Sequence, residues 1–175
     1  MLSNKHIMVY YHCYYIVEDA SEGSPELFYQ YWDEIRKLLK HSNSYHRDIG
    51  LTVLANLTKV DVENKMADTI ESYLQILNDK KFMTAVYCVK SCGKIMVNKP
   101  ELMDLIIERL LELYESCRYS EKQQALMMSD IIETFNMIFD KYHNLNLLFD
   151  FARKNLNSIS PKTRKIAKEF LSKQK

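Results

Sequence analysis

The chain has 175 residues, 47% of them apolar and 27% charged, with 24 basic side chains against 23 acidic ones. That length supports one domain with a sizeable core, the composition argues against disorder, and the near-zero net charge removes the basic excess of a generic polyanion binder. Three glycines and three prolines are too few for a β-sandwich or barrel and suit long helices with short connections.

Apolar residues recur at helical spacing along the chain. Ile7 to Val17 is a mostly apolar run containing His12 and four tyrosines, with Glu18-Asp19 directly after it. It lacks a small-x-small cleavage site and is too short to span a bilayer, so it reads as a buried first helix. Phe28, Tyr31, Trp32, Ile35, Leu38 and Leu39 form the next face. Ile49, Val53, Leu54, Leu57 and Val60 follow, then Met66, Ile70, Tyr73, Leu74 and Leu77. Phe82, Val86, Val89 and Met96 make a fifth, and Leu102, Ile106, Ile107, Leu110, Leu113 and Tyr114 a broad sixth. Met128, Ile131, Phe135, Ile138 and Tyr142 come next, then Leu145, Leu148, Phe151, Ala152 and Leu156. Ile166, Ala167, Phe170 and Leu171 close a series of about nine helices. Ser24-Pro25 and Ser160-Pro161 place proline at a first helical position after a capping serine, and Ser44, Asp61 and Ser120 stand at other helix starts. The short gaps predict antiparallel neighbours.

Two internal offsets agree on one period. Pro25-Glu26-Leu27 recurs as Pro100-Glu101-Leu102, two units of about 37 residues on. Arg47-x-Ile49-Gly50-x-x-x-Leu54 recurs as Arg164-x-Ile166-Ala167-x-x-x-Leu171, three units of about 39 on, with a degenerate copy at Phe82-x-Thr84-Ala85-x-x-x-Val89. This period and the Arg-x-x-Ala-x-x-x-Leu pattern resemble HEAT repeats, with armadillo-like arrays close by. The resemblance implies an all-α fold: a right-handed α-solenoid of about nine antiparallel helices in four to five repeats, a single domain over residues 1–175. It also implies a protein-binding scaffold whose second helices line a concave face, and Asp61 fits the aspartate such units carry in their turn.

Cys13, Cys88, Cys92 and Cys117 fit no disulfide framework, which points to a reducing, cytoplasmic setting. Cys88 and Cys92 share a helix face without further ligands for a metal and read as small buried hydrophobes. His41 and His46 flank one short turn, within reach of each other, and read more simply as capping or solvent-exposed residues than as a site. No glycine-rich phosphate loop or nucleophile motif is present, so neither catalysis nor a cofactor is expected.

Charge is the most informative feature. Residues 62–79 hold four carboxylates against Lys65, and residues 100–116 hold five against Arg109. On the HEAT resemblance these are second helices, so the expected function is a non-catalytic scaffold. Its acidic concave face would bind a basic or amphipathic segment of a partner protein, through Glu71, Gln75, Glu108 and Glu112, with Glu34 and Lys37 extending the groove. The alternative is nucleic-acid binding, as in HEAT-like DNA glycosylases, through Lys162, Arg164, Lys165 and Lys168 with Lys80, Lys81, Lys90 and Lys94. The acidic helices make nucleic acid the weaker expectation. No membrane association is expected. The aromatic cluster of Tyr10, Tyr11, Tyr14, Tyr15, Tyr29, Tyr31 and Trp32 reads first as a thick terminal cap with ring bodies packed and hydroxyls in water, and second as a partner surface or a homodimer through the N-terminal helices.

Overall fold

The computed structural model describes residues 7–174. Among them are ten α-helices, three short 3-10 turns and no strand. They divide into two compact units between Ile76 and Leu77. No helix among the described residues is long and apolar enough to cross a membrane.

The first unit contains α1 (Ile7–Gly23), α2 (Pro25–Tyr29), α3 (Trp32–Leu38), α4 (Ser44–Leu57) and α5 (Lys65–Leu74). Its core is α4, on which α1, α2 and α3 pack. Eleven consecutive residues, Arg47 to Leu57, are therefore buried, where the sequence predicts a single apolar face. The polar ones find partners. Thr52 bonds the buried Tyr14 hydroxyl at 3.2 Å, and the Asn56 amide donates to Ser21 Oγ at 3.0 Å. The first helix exists as expected but is buried on one side only, since Met8, Tyr15 and Ile16 are more than half exposed.

The single helix expected over 25–39 is broken, which makes ten helices where the apolar pattern predicts about nine. Tyr31 leaves helical geometry at φ −98° and ψ 15°, and its N–H bonds the Phe28 carbonyl, three residues back. Fixed tertiary anchors lie on either side of the break. Tyr29 donates to Asp61 Oδ1 at 2.7 Å, and the buried Trp32 indole donates to Thr69 Oγ1 at 3.1 Å. Asp61 also accepts from the N–H groups of Lys65 (2.8 Å) and Met66 (3.0 Å), so it caps α5 from four residues upstream rather than opening the helix itself. Asn64 completes that turn in the left-handed region at φ 57°, which asparagine tolerates better than most residues. Asn43, rather than Ser44, caps α4, its side chain accepting from the Tyr45 N–H.

The second unit contains α6 (Phe82–Asn98), α7 (Met103–Ser116), α8 (Glu121–Met137), α9 (Leu145–Lys154) and α10 (Pro161–Leu171). Its centre is α8, which packs mainly against α6 and α10. Phe135 and Phe151 meet edge to face at 5.5 Å, and Phe170 reaches both Phe139 and Phe149 at 5.6 Å. Full burial of such a ring is worth about 1.5–3 kcal/mol. Ser160 caps α10 as its sequence position predicts, accepting from the Thr163 N–H at 3.2 Å. Ser120 opens α8, and its N–H donates to the Gln123 side chain at 3.3 Å, one half of a capping box.

Candidate binding surface

The apolar pattern of α7 sets the direction of its charges. Met103, Ile106, Ile107, Leu110 and Leu113 are buried. Asp104, Glu108 and Glu112 then fall at successive four-residue steps along the opposite, exposed side, with Glu115 beside them. The same logic holds for α5. Met66, Thr69, Ile70, Tyr73 and Leu74 face inward while Asp68 and Glu71 are exposed. Gln75 is also exposed but lies just past the helix, opening a 3-10 turn over Gln75–Asn78. Glu34 and Lys37 are exposed on α3.

All six side chains named from the sequence are thus on the surface. Glu34, Lys37, Glu71 and Gln75 belong to the first unit, Glu108 and Glu112 to the second. Within the first unit α3 and α5 are tied together, because Arg36 Nη2 donates to the Asp68 carbonyl at 3.0 Å. Asp104 is engaged by the Tyr142 hydroxyl, whose pKa is raised by burial and by that hydrogen bond. Among the described residues no basic side chain pairs with Glu108 or Glu112.

The basic residues considered for nucleic acid are in a different condition. Lys162 lies 3.4 Å from Asp130 and 3.2 Å from Glu133, and Lys90 lies 3.5 Å from Asp130. Burial alone would lower the Lys162 pKa, but the two carboxylates outweigh it and hold the ammonium above its ordinary value. Lys165 pairs with Glu169 at 3.8 Å, and Arg164 donates to the carbonyls of Ser158 (2.6 Å) and Ile159 (3.2 Å). Lys80, Lys81 and Lys168 are exposed, and Lys94 is half-buried.

Asp130 had no signal in the sequence. It is a nearly fully buried carboxylate on α8 that meets lysines from α6 and α10. Cys88 and Cys92 are fully buried, and burial first, then the hydrogen bond between the two thiols, pushes the Cys88 pKa well up. That keeps the thiol protonated and inert. His41 and His46 do approach, with ring centroids 4.1 Å apart. No group of three or more potential metal ligands occurs among the described residues. The aromatic cluster at the N-terminal end is mixed: Tyr14 and Trp32 are buried, Tyr15 and Tyr31 exposed, and Tyr10 lies outside the described side chains. No protein-family model, no curated protein and no solved structure matches the chain.

Proposed function

We propose that the chain is a HEAT- or armadillo-like α-solenoid that acts as a binding module rather than an enzyme, holding a basic or amphipathic segment of a partner protein on acidic helix faces. The observation that carries this reading is the carboxylate stripe of α7. Like charges four residues apart on a helix cost about 0.2–0.5 kcal/mol per pair, and neither Glu108 nor Glu112 has a compensating ion pair among the described residues. A cationic partner removes that repulsion on binding. Asp68 and Glu71 on α5 give the first unit an acidic face of its own. The free cysteines suit the reducing cytoplasm.

The nucleic-acid alternative is weakened by the bonds that occupy Lys90, Lys162, Arg164 and Lys165. A second copy of the chain fits the exposed apolar side of α1, where Met8, Tyr15 and Ile16 stand in water. Light scattering at high concentration tests that pairing, and a strict monomer removes it.

Selection of displayed random peptides on the purified chain tests the main reading. Enriched peptides should be rich in Lys and Arg, bind more weakly as salt rises, and lose most affinity for Glu108→Lys/Glu112→Lys. Enrichment of neutral or acidic peptides, or indifference to the charge reversal, would overturn it.

A further inference from the structure

We propose that a cleft between the start of α8 and the end of α9 seats a guanidinium, the side chain of an arginine in the bound basic segment. This rests on the reading above and names the chemical group recognised. The cleft is an open groove of about 410 Å³ within the second unit.

Three of its polar side chains, Glu121, Gln124 and Asn155, offer acceptor oxygens, and Lys154 is its one cationic lining residue. Asn155 is 3% exposed, and its amide nitrogen donates to the Phe151 carbonyl at 2.9 Å, which fixes the orientation of the amide. The other end of that amide, Oδ1, receives no hydrogen bond from a described residue, and Asn155 lines the cleft. Gln124, on the opposite wall, repeats the arrangement. Its nitrogen donates to the Tyr114 carbonyl at 2.8 Å, and its Oε1 receives no hydrogen bond. Glu121 adds an exposed carboxylate at the first position of α8. The negative C-terminal ends of α7 and α9 lie here beside the positive N-terminal end of α8, so the side chains rather than the helix dipoles set the preference for a cation.

Two fixed amide oxygens, a carboxylate and a tyrosine ring match a planar cation carrying five N–H donors. The chain itself places a cation here: Lys154 Nζ sits 5.7 Å from the centroid of the Tyr114 ring. An arriving arginine would take that position over the ring, and Lys154, which is exposed, would swing into water. The wall needs little rearrangement, because the Ser158 N–H bonds the Asn155 carbonyl at 3.2 Å and Arg164 holds the carbonyls of Ser158 and Ile159.

The test is an NMR titration of the full chain with N-acetyl-arginine methylamide, and with the citrulline analogue as its neutral isostere. Arginine amide should shift the backbone signals of Tyr114, Gln124 and Asn155 at millimolar concentration, and the citrulline analogue should not. Lys154→Met should tighten arginine binding about two- to fivefold by removing the competing cation. Gln124→Met should weaken it. Equal binding of the citrulline analogue, or Lys154→Met that leaves affinity unchanged or lower, overturns the proposal. Arginine shifts confined to the Glu108–Glu112 face would also overturn it, while leaving the acidic-helix reading standing. That reading fails separately, if selected peptides ignore the Glu108 and Glu112 reversal.

Discussion

Arg47 and Arg164 make the same pair of bonds at two distant points in the chain. Each sends Nη1 to the carbonyls six and five residues before it: His41 and Ser42 for Arg47, at 2.7 and 3.1 Å, and Ser158 and Ile159 for Arg164, at 2.6 and 3.2 Å. Both arginines occupy the same place in the recurring Arg-x-Ile-(Gly/Ala) pattern, near the start of α4 and of α10. The repeated residue therefore has a repeated task, tying the connection ahead of a helix to that helix. Arg47 is itself nearly fully buried, and replacing it leaves the carbonyls of the exposed residues His41 and Ser42 without their charged donor. Hydrogen bonds to charged groups are worth about 1.5–3 kcal/mol, so Arg47→Ala should lower stability by about 2–4 kcal/mol. Arg164 is only half-buried, and Arg164→Ala should cost about half as much. Urea denaturation of the two variants checks both the size and the order.

The third residue after each arginine explains a difference between the copies. A Cβ on Gly50 would lie 3.1 Å from Leu38 Cβ and 3.3 Å from the Ile35 carbonyl, whereas Ala167 holds a Cβ at the same place in the pattern, fully buried. The neighbours of Gly50 are a backbone oxygen and the root of a side chain, which cannot swing aside. Gly50→Ala should therefore destabilise by about 1–2 kcal/mol despite the gain of about 1 kcal/mol in helix propensity. Gly93 makes the control. An added Cβ there meets the sulfur of Met137, the flexible end of a side chain that is 47% exposed. Gly93→Ala should be neutral or mildly stabilising, within about 1 kcal/mol. Equal losses at both glycines would contradict this distinction.

Asp61 accepts from the Tyr29 hydroxyl and from the N–H groups of Lys65 and Met66. Burial and then the bond to Asp61 push the Tyr29 pKa up to about 12. Tyr29→Phe removes that donor and the acceptor of the Glu63 N–H but leaves Asp61 its bonds from Lys65 and Met66, at a cost of about 1–2 kcal/mol. Asp61→Ala strips the cap from α5 and orphans these donors, and should cost about 2–4 kcal/mol. Thermal melts should rank the variants in that order.

The helices were legible in the sequence because apolar spacing decides them. The Ser160 cap was legible for the same local reason, as were Glu108 and Glu112, whose four-residue step alone places them on one face. The break at Tyr31 was not legible, since it sits between anchors at Asp61 and Thr69 that are distant in the chain. Asp130 was hidden too: beside Ile131 and Ile132 nothing marks it as the meeting point of Lys90 and Lys162. Gln124 and Asn155 come to line one cleft only when α8 and α9 pack, and no local motif signals that.

His46 should make the first unit sensitive to acid. Burial first, and the nearby His41 second, lower its pKa below the ordinary 6.5. As pH falls, the unfolded chain takes up the proton before the folded one does. The stabilising contribution is therefore present above pH 6.5 and is lost as pH falls through the folded value. Melting temperature followed between pH 8 and pH 5 should decline on the acid side, and His46→Gln should flatten that decline. A decline unchanged by the substitution would assign it to the carboxylates instead.

Asp130 allows the two readings of the surface to be separated by charge alone. Its side chain is 5% exposed, while Lys90 and Lys162 are about half exposed, so Asp130→Asn frees Lys90 and leaves Lys162 only Glu133, without trapping either ammonium in the core. The loss in stability should fall below the 3–5 kcal/mol typical of a broken buried pair, at about 1–2 kcal/mol. The Lys162 pKa should fall, because the first carboxylate that holds it up is gone. Combined with Glu133→Gln, the substitution uncovers the very lysines a nucleic-acid surface would use. If the chain binds a basic protein segment, neither the natural protein nor this double variant retains an oligonucleotide at physiological salt. Retention by the double variant alone would show that Asp130 and Glu133 suppress a latent basic surface. Retention by the natural protein, with a steep loss as salt rises, would favour nucleic acid over the acidic-helix function.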